Sequence, residues 1–224
     1  MNDTPLSTHL YRTAVDLWDA QLEHPFVRGI ADGSLEEDRF ARWVVQDYLY
    51  LKDFARIFAW AVTKADRLES MAWYAEVLHL TLNTEMALHR EYATRFGIEE
   101  AELEVAEKWP TTRAYTDFLL RTAADGDALD LLAALLPCSW GYLHIAQRMR
   151  AAGPSPDPRY EDWIDMYASS EFAEATEWLK REVDRLGVRI TDEKRARLEE
   201  IFVVSSRYEW AFWEMCWRGE RWLP

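Results

Sequence analysis

A cysteine beside a proline, in the run Leu136–Pro137–Cys138–Ser139–Trp140–Gly141–Tyr142, is the strongest chemical signal in this chain. Thiolate is a strong nucleophile. Proline inside a helical apolar run removes a hydrogen bond and crowds the preceding turn, at a cost of about 3 kcal/mol. Tyr142 follows Cys138 at i+4, so both project from one helix face. A lone buried cysteine is also simply a small hydrophobe. Cys216, beside Trp217 near the chain end, is the weaker candidate.

Two acids stand on aromatic helix faces. Asp47 shares its face with Trp43, Tyr50, Phe54 and Phe58. A carboxylate there must be paired, hydrogen-bonded or liganded. The structural alternative is a buried acid bonded to an Arg, Trp or Tyr. Glu209 has Phe212 at i+3 and Trp213 at i+4. Burial would favour its protonated form, the state a general acid needs; its alternative is an ion pair with Arg207 or another arginine. Glu85 and His89, at i and i+4, could place two metal ligands on one face, but no second Glu/His pair of that type accompanies them. Tyr115 and Tyr167 stand near segment ends, where a flat face with a polar tip suits a heteroaromatic ligand. There is no Gly-rich phosphate loop, no G-x-S-x-G and no zinc-type histidine spacing.

These residues need elements to hold them, and the sequence reads as helix throughout. Apolar residues recur at helical spacing in every long segment, and no strand-like alternation competes. The predicted helices are Leu6 to Leu22, Leu35 to about Lys64, Ser70 to Phe96, a short one from Thr111 or Thr112, Ala128 to Ala152, Tyr160 to Tyr167, Glu171 to Leu186, and one from Thr191 to about Trp217. His24 to Gly33 is expected as a loop. Ser34 and Glu37 have capping-box spacing, and Gly97 and Gly187 stand where helices stop. The fold class is all-α, a single-domain bundle of seven or eight helices over residues 1–224.

Composition narrows function further. The 224 residues are 49% hydrophobic and carry 12 Trp, 10 Tyr and 9 Phe, enough for a sizeable core. The formal net charge of −14 repels phosphate backbones and anionic lipid, so neither nucleic acid nor a membrane is an expected partner. No window is expected to be apolar over the length of a bilayer. Two cysteines make no disulfide framework, and the N-terminus lacks the basic and apolar parts of a secretory signal. The expected setting is the reducing cytoplasm.

Taken in order, the motifs resemble the TenA family, or thiaminase II. They are His24–Pro25–Phe26–Val27; Phe40 with Gln46–Asp47–Tyr48–Leu49–Tyr50–Leu51; Leu136 through Tyr142; Trp163–Ile164–Asp165–Met166–Tyr167; and Ile201–Phe202 with Ser206 through Trp213. The resemblance covers nearly the whole chain. It implies a haem-oxygenase-like fold without haem, a homotetramer, and no cofactor or metal. It implies hydrolysis of the C–N bond at the C5 methylene of a 4-amino-2-methylpyrimidine, giving the hydroxymethylpyrimidine used in thiamine synthesis. By position, Cys138 falls on the nucleophile and places the chain in the cysteine-bearing branch. Asp47 falls on the acid that holds the ring nitrogen and amino group, and Glu209 on the acid near the leaving amine. Tyr50, Tyr115, Tyr142 and Tyr167 fall on pocket tyrosines, and Phe212 on a ring-stacking position. His144 departs from the family, where many relatives carry an acid. A pyrimidine-binding or regulatory protein without turnover, and a di-metal oxygenase of the same superfamily, are the rival functions.

Overall fold

The computed structural model describes residues 4–223. Among them there is no strand, and the order is α1 (Leu6–Thr13), α2 (Val15–Leu22), α3 (Pro25–Asp32), α4 (Glu37–Lys64), α5 (Leu68–Leu80), a π-helical turn (Thr81–Glu85), α6 (Met86–Thr94), α7 (Glu100–Val105), α8 (Pro110–Asp125), α9 (Ala128–Ala152), α10 (Pro158–Tyr167), α11 (Ser170–Leu186) and α12 (Asp192–Arg218). The all-α expectation holds. The chain is cut into more helices than periodicity suggests, because backbone breaks fall inside periodic runs. Ala14, at φ −122°, separates α1 from α2 without disturbing the apolar spacing.

The expected loop from His24 to Gly33 is largely helix α3. His24 is its N-cap, with Nδ1 accepting from the Phe26 N–H at 3.1 Å. Pro25 takes the first helical position, where its missing N–H costs nothing. Gly33 ends the helix at φ 74°, a conformation that favours glycine. The capping box expected at Ser34 and Glu37 does not form. Ser34 N–H donates to Asp32 Oδ1 instead, and α4 starts after Glu36. A capping box does form at Glu99 and Glu102, opening α7. The bounds of α9 are those read from the sequence.

The chain divides into two compact units. The first runs through Leu35 and resumes over Leu132–Glu214. Its core includes Trp18, Phe26, Trp163, Phe202 and Trp213, all essentially sealed from solvent. Trp18 and Phe202 stack with centroids 6.1 Å apart. The second unit takes Glu36–Leu131 and resumes from Met215. There α4 packs against α5, α6 and α8, burying Phe40, Trp43, Phe58, Tyr74 and Tyr115. Gln46 ties α4 to the start of α8, accepting from the Trp109 N–H at 2.9 Å and the Thr112 hydroxyl at 2.7 Å.

The expectation that no window is apolar over the length of a bilayer does not hold. By length and composition α9 is apolar enough to cross a membrane, but 78% of its apolar window is buried. It has the character of a core helix, whose apolar surface is covered by protein rather than lipid.

Candidate active site

In the first unit, α9 carries Cys138 and Tyr142. The helix runs unbroken through Pro137. Proline supplies no N–H to the preceding turn, and Ser205 Oγ donates to the carbonyl of Ala134 in that turn, at 2.6 Å. Cys138 is half-buried. Tyr142 packs against Tyr167 of α10, with ring centroids 4.9 Å apart and planes at 60°, and against Trp213 of α12 at 5.1 Å. Tyr167 also meets Phe172 edge-on at 5.1 Å. The structure thus brings two of the four predicted tyrosines together.

Glu209 and Phe212 are both buried on α12. Arg207 is exposed. Residues two apart on a helix do not face each other, so Arg207 is not the partner of Glu209. The helix is clamped along this stretch. Trp18 Nε1 donates to Ser206 at 3.1 Å, Trp213 Nε1 donates to Gln21 at 3.0 Å, and His24 Nε2 lies 3.1 Å from Glu214. Burial lowers the His24 pKa, opposed by Glu214. A neutral ring fits its two contacts, with Nδ1 accepting at the cap and Nε2–H donating to the acid.

His144 lies on another face of α9. It groups with Trp140, Tyr11 and Trp18; its ring is 5.6 Å from Trp18 and 6.3 Å from Tyr11. At about 100° per residue, this face points well away from that of Cys138 and Tyr142. Burial, then Arg148, lowers the His144 pKa, and its buried Nε2 has no hydrogen-bond partner.

In the second unit, α4 presents Asp47 and Tyr50, both buried, within the predicted aromatic stripe. Tyr50 meets Tyr115 of α8 at 5.4 Å, with ring planes at 35°, and Phe54 at 6.0 Å. The remaining two predicted tyrosines are therefore also neighbours. The partner of Asp47 corrects the sequence reading. It is neither Arg, Trp nor Tyr but His89 of α6, whose Nε2 is 2.8 Å from Oδ2. The signal is half visible: Glu85 and His89 stand out as a pair in the sequence, but the acid that His89 meets lies on a different helix. Among the described residues no group of three or more His, Cys, Asp or Glu side chains is arranged to hold a metal ion.

Environment also separates the two cysteines. Cys216 is fully buried, and its thiol pKa is pushed well up, first by burial and then by the Asp47 charge. A thiol held in that state is a poor nucleophile. Cys138 keeps solvent-accessible surface, which a reacting thiol requires.

The first unit thus carries a half-buried thiol, a buried acid and a tyrosine pair, and the second a buried acid and a tyrosine pair, side chains of the types that contact and attack flat heteroaromatic rings. Comparison with known proteins agrees with that chemistry. The chain matches the TENA/THI-4/PQQC family over residues 11–219, and it belongs to that family. It is 45% identical to an aminopyrimidine aminohydrolase of Halalkalibacterium halodurans, over 95% of this chain and 96% of that protein. The solved structure of a TenA homologue from P. horikoshii superposes with a TM-score of 0.89 at 30% identity, covering 96% of this chain and all of that one. A haem-oxygenase-like protein from Shewanella denitrificans, at 16% identity, superposes with a TM-score of 0.74 over 95% of this chain and 92% of that one, a likeness of fold alone.

Proposed function

We propose that this protein is a hydrolase that cleaves the C–N bond at the C5 methylene of a 4-amino-2-methylpyrimidine, releasing an amine and the hydroxymethylpyrimidine. The observation that carries this reading is the 45% identity, over almost the full length of both chains, to an aminopyrimidine aminohydrolase. It is supported by the separate environments of the two cysteines and by two buried acids at the positions expected for the family.

In this reading Cys138 is the nucleophile. Its thiolate adds to the ring carbon next to C5. The electrons released into the ring expel the amine from the methylene as Glu209 protonates it. Water adds to the exocyclic methylene, and loss of the thiolate restores the aromatic ring. Asp47 holds the ring nitrogen and 4-amino group by paired hydrogen bonds. Tyr50, Tyr115, Tyr142, Tyr167 and Phe212 give the ring its aromatic contacts. No step calls for a cofactor or metal. Residues 1–224 act as one TenA-like domain in the cytoplasm, apart from nucleic acid and membranes. The chain works as a homotetramer, which the exposed apolar side chains Leu68, Met71, Leu80, Leu82 and Leu88 support.

The test is incubation of the purified protein with thiamin, with the aminomethylpyrimidine and with its N-formyl derivative, reading hydroxymethylpyrimidine by mass. Product from at least one of these is expected, and Cys138→Ala abolishes it. No product from any of the three refutes the hydrolase, and near wild-type turnover by Cys138→Ala refutes the nucleophile.

A further inference from the structure

Asp47 and His89 are almost shut off from water, with side chains 8% and 4% exposed. The 2.8 Å approach is off-line for a hydrogen bond, and neither Asp47 Oδ2 nor His89 Nε2 has another hydrogen-bond partner. Trp43, one turn before Asp47 on α4, lies 5.8 Å from the His89 ring and limits its orientation. The π turn Thr81–Glu85 immediately precedes α6. An extra residue in a turn rotates the helix that follows by about 100°, which sets the face that α6 shows to α4.

We propose that His89 is a positioning residue for Asp47: its contact with Oδ2 fixes the carboxylate plane, leaving Oδ1 and the second lone pair of Oδ2 to accept the paired hydrogen bonds of the aminopyrimidine. This rests on the role given to Asp47 above. A carboxylate that must meet a ring nitrogen and an amino group together needs a fixed plane as well as a charge, and His89 supplies a contact that fixes it.

The charged neighbours fit this role. Burial alone would push His89 down, but Asp47 and then Glu85 carry its pKa above the ordinary histidine value. Glu85 stands one turn before His89. Burial, reinforced by the Asp47 charge and opposed by His89, raises its pKa to about 7. Cys216 of α12 also senses Asp47, and Arg42 of α4 acts on Cys216. Among the described residues, His89 is the basic group that closes on the Asp47 carboxylate itself, at 2.8 Å.

The experiment measures binding of 4-amino-5-hydroxymethyl-2-methylpyrimidine by calorimetry between pH 6 and 9, for wild type, His89→Ala, His89→Gln and Asp47→Asn. Asp47→Asn is expected to lose most affinity. His89→Ala is expected to weaken binding about 10- to 100-fold at pH 7. His89→Gln, which keeps an N–H donor, recovers much of that loss. Wild-type affinity falls at high pH as His89 loses its proton, and the ratio of wild type to His89→Gln isolates this decline from titration of the ligand. Wild-type affinity in His89→Ala, with Asp47→Asn defective, overturns the proposal and leaves the Asp47 reading intact. Wild-type affinity in Asp47→Asn overturns the Asp47 reading, and the proposal with it. Should His89→Ala fail to fold, a His89→Gln pH profile superposing on that of wild type overturns the proposal.

Discussion

Glu85 gives the most quantitative prediction. Its carboxyl pKa is raised from an ordinary 4.5 to about 7, mainly by burial. The folded protein therefore binds a proton at Glu85 that the unfolded chain has already released. Stability falls as pH rises through the interval between the two values and levels off above the upper one. Each pH unit is worth about 1.4 kcal/mol, so the ceiling is about 3 kcal/mol. The unfolded carboxyl is already largely ionised at pH 5, so about 2–2.5 kcal/mol of this is lost between pH 5 and pH 8.5. Glu85→Gln removes the titrating group and keeps the shape. Urea unfolding of both proteins at pH 5 and pH 8.5 checks it. The variant is expected to gain on wild type by about 2–2.5 kcal/mol between those two conditions. Parallel stability profiles would mean that Glu85 ionises as freely in the folded state as in the unfolded one, and the reasoning from burial would fail.

Two further outcomes are expected. Phe202 is completely buried and stacked on Trp18, so Phe202→Ala should cost about 3–5 kcal/mol by the cavity it leaves, read as a lower denaturant midpoint at unchanged slope. Cys138 keeps accessible surface while Cys216 is sealed and its thiol pKa is high. Iodoacetamide on the native protein should therefore modify Cys138 first, with Cys216 reacting only after unfolding; peptide mass mapping distinguishes them, and equal rates would contradict the burial argument.

Much of this was legible before any coordinates. Helical periodicity is a local property, and it gave the all-α class and the bounds of α9, where no break interrupts the pattern. The last helix, read from Thr191, does start there, with the Thr191 hydroxyl accepting from the Lys194 N–H at 3.1 Å. Helix α3 was missed although Pro25 and Gly33 mark its two ends, because its eight residues are too few for periodicity to show. The break at Ala14 and the π turn at Thr81–Glu85 leave no such mark, since either can be accommodated within an apolar pattern of nearly the same period.

The sequence by itself determined which groups this protein has for chemistry: one thiol beside a proline, two acids on aromatic faces, and tyrosines at spaced positions. Residue type and helical spacing carry that much. Only the tertiary structure decided what surrounds each group. Burial sealed Cys216 and left Cys138 accessible. Packing joined Tyr50 to Tyr115 and Tyr142 to Tyr167, and it gave Asp47 a histidine 42 positions away in the chain. Such pairings depend on the crossing and rotation of separate helices, which the packing of whole faces sets and no short stretch of sequence encodes.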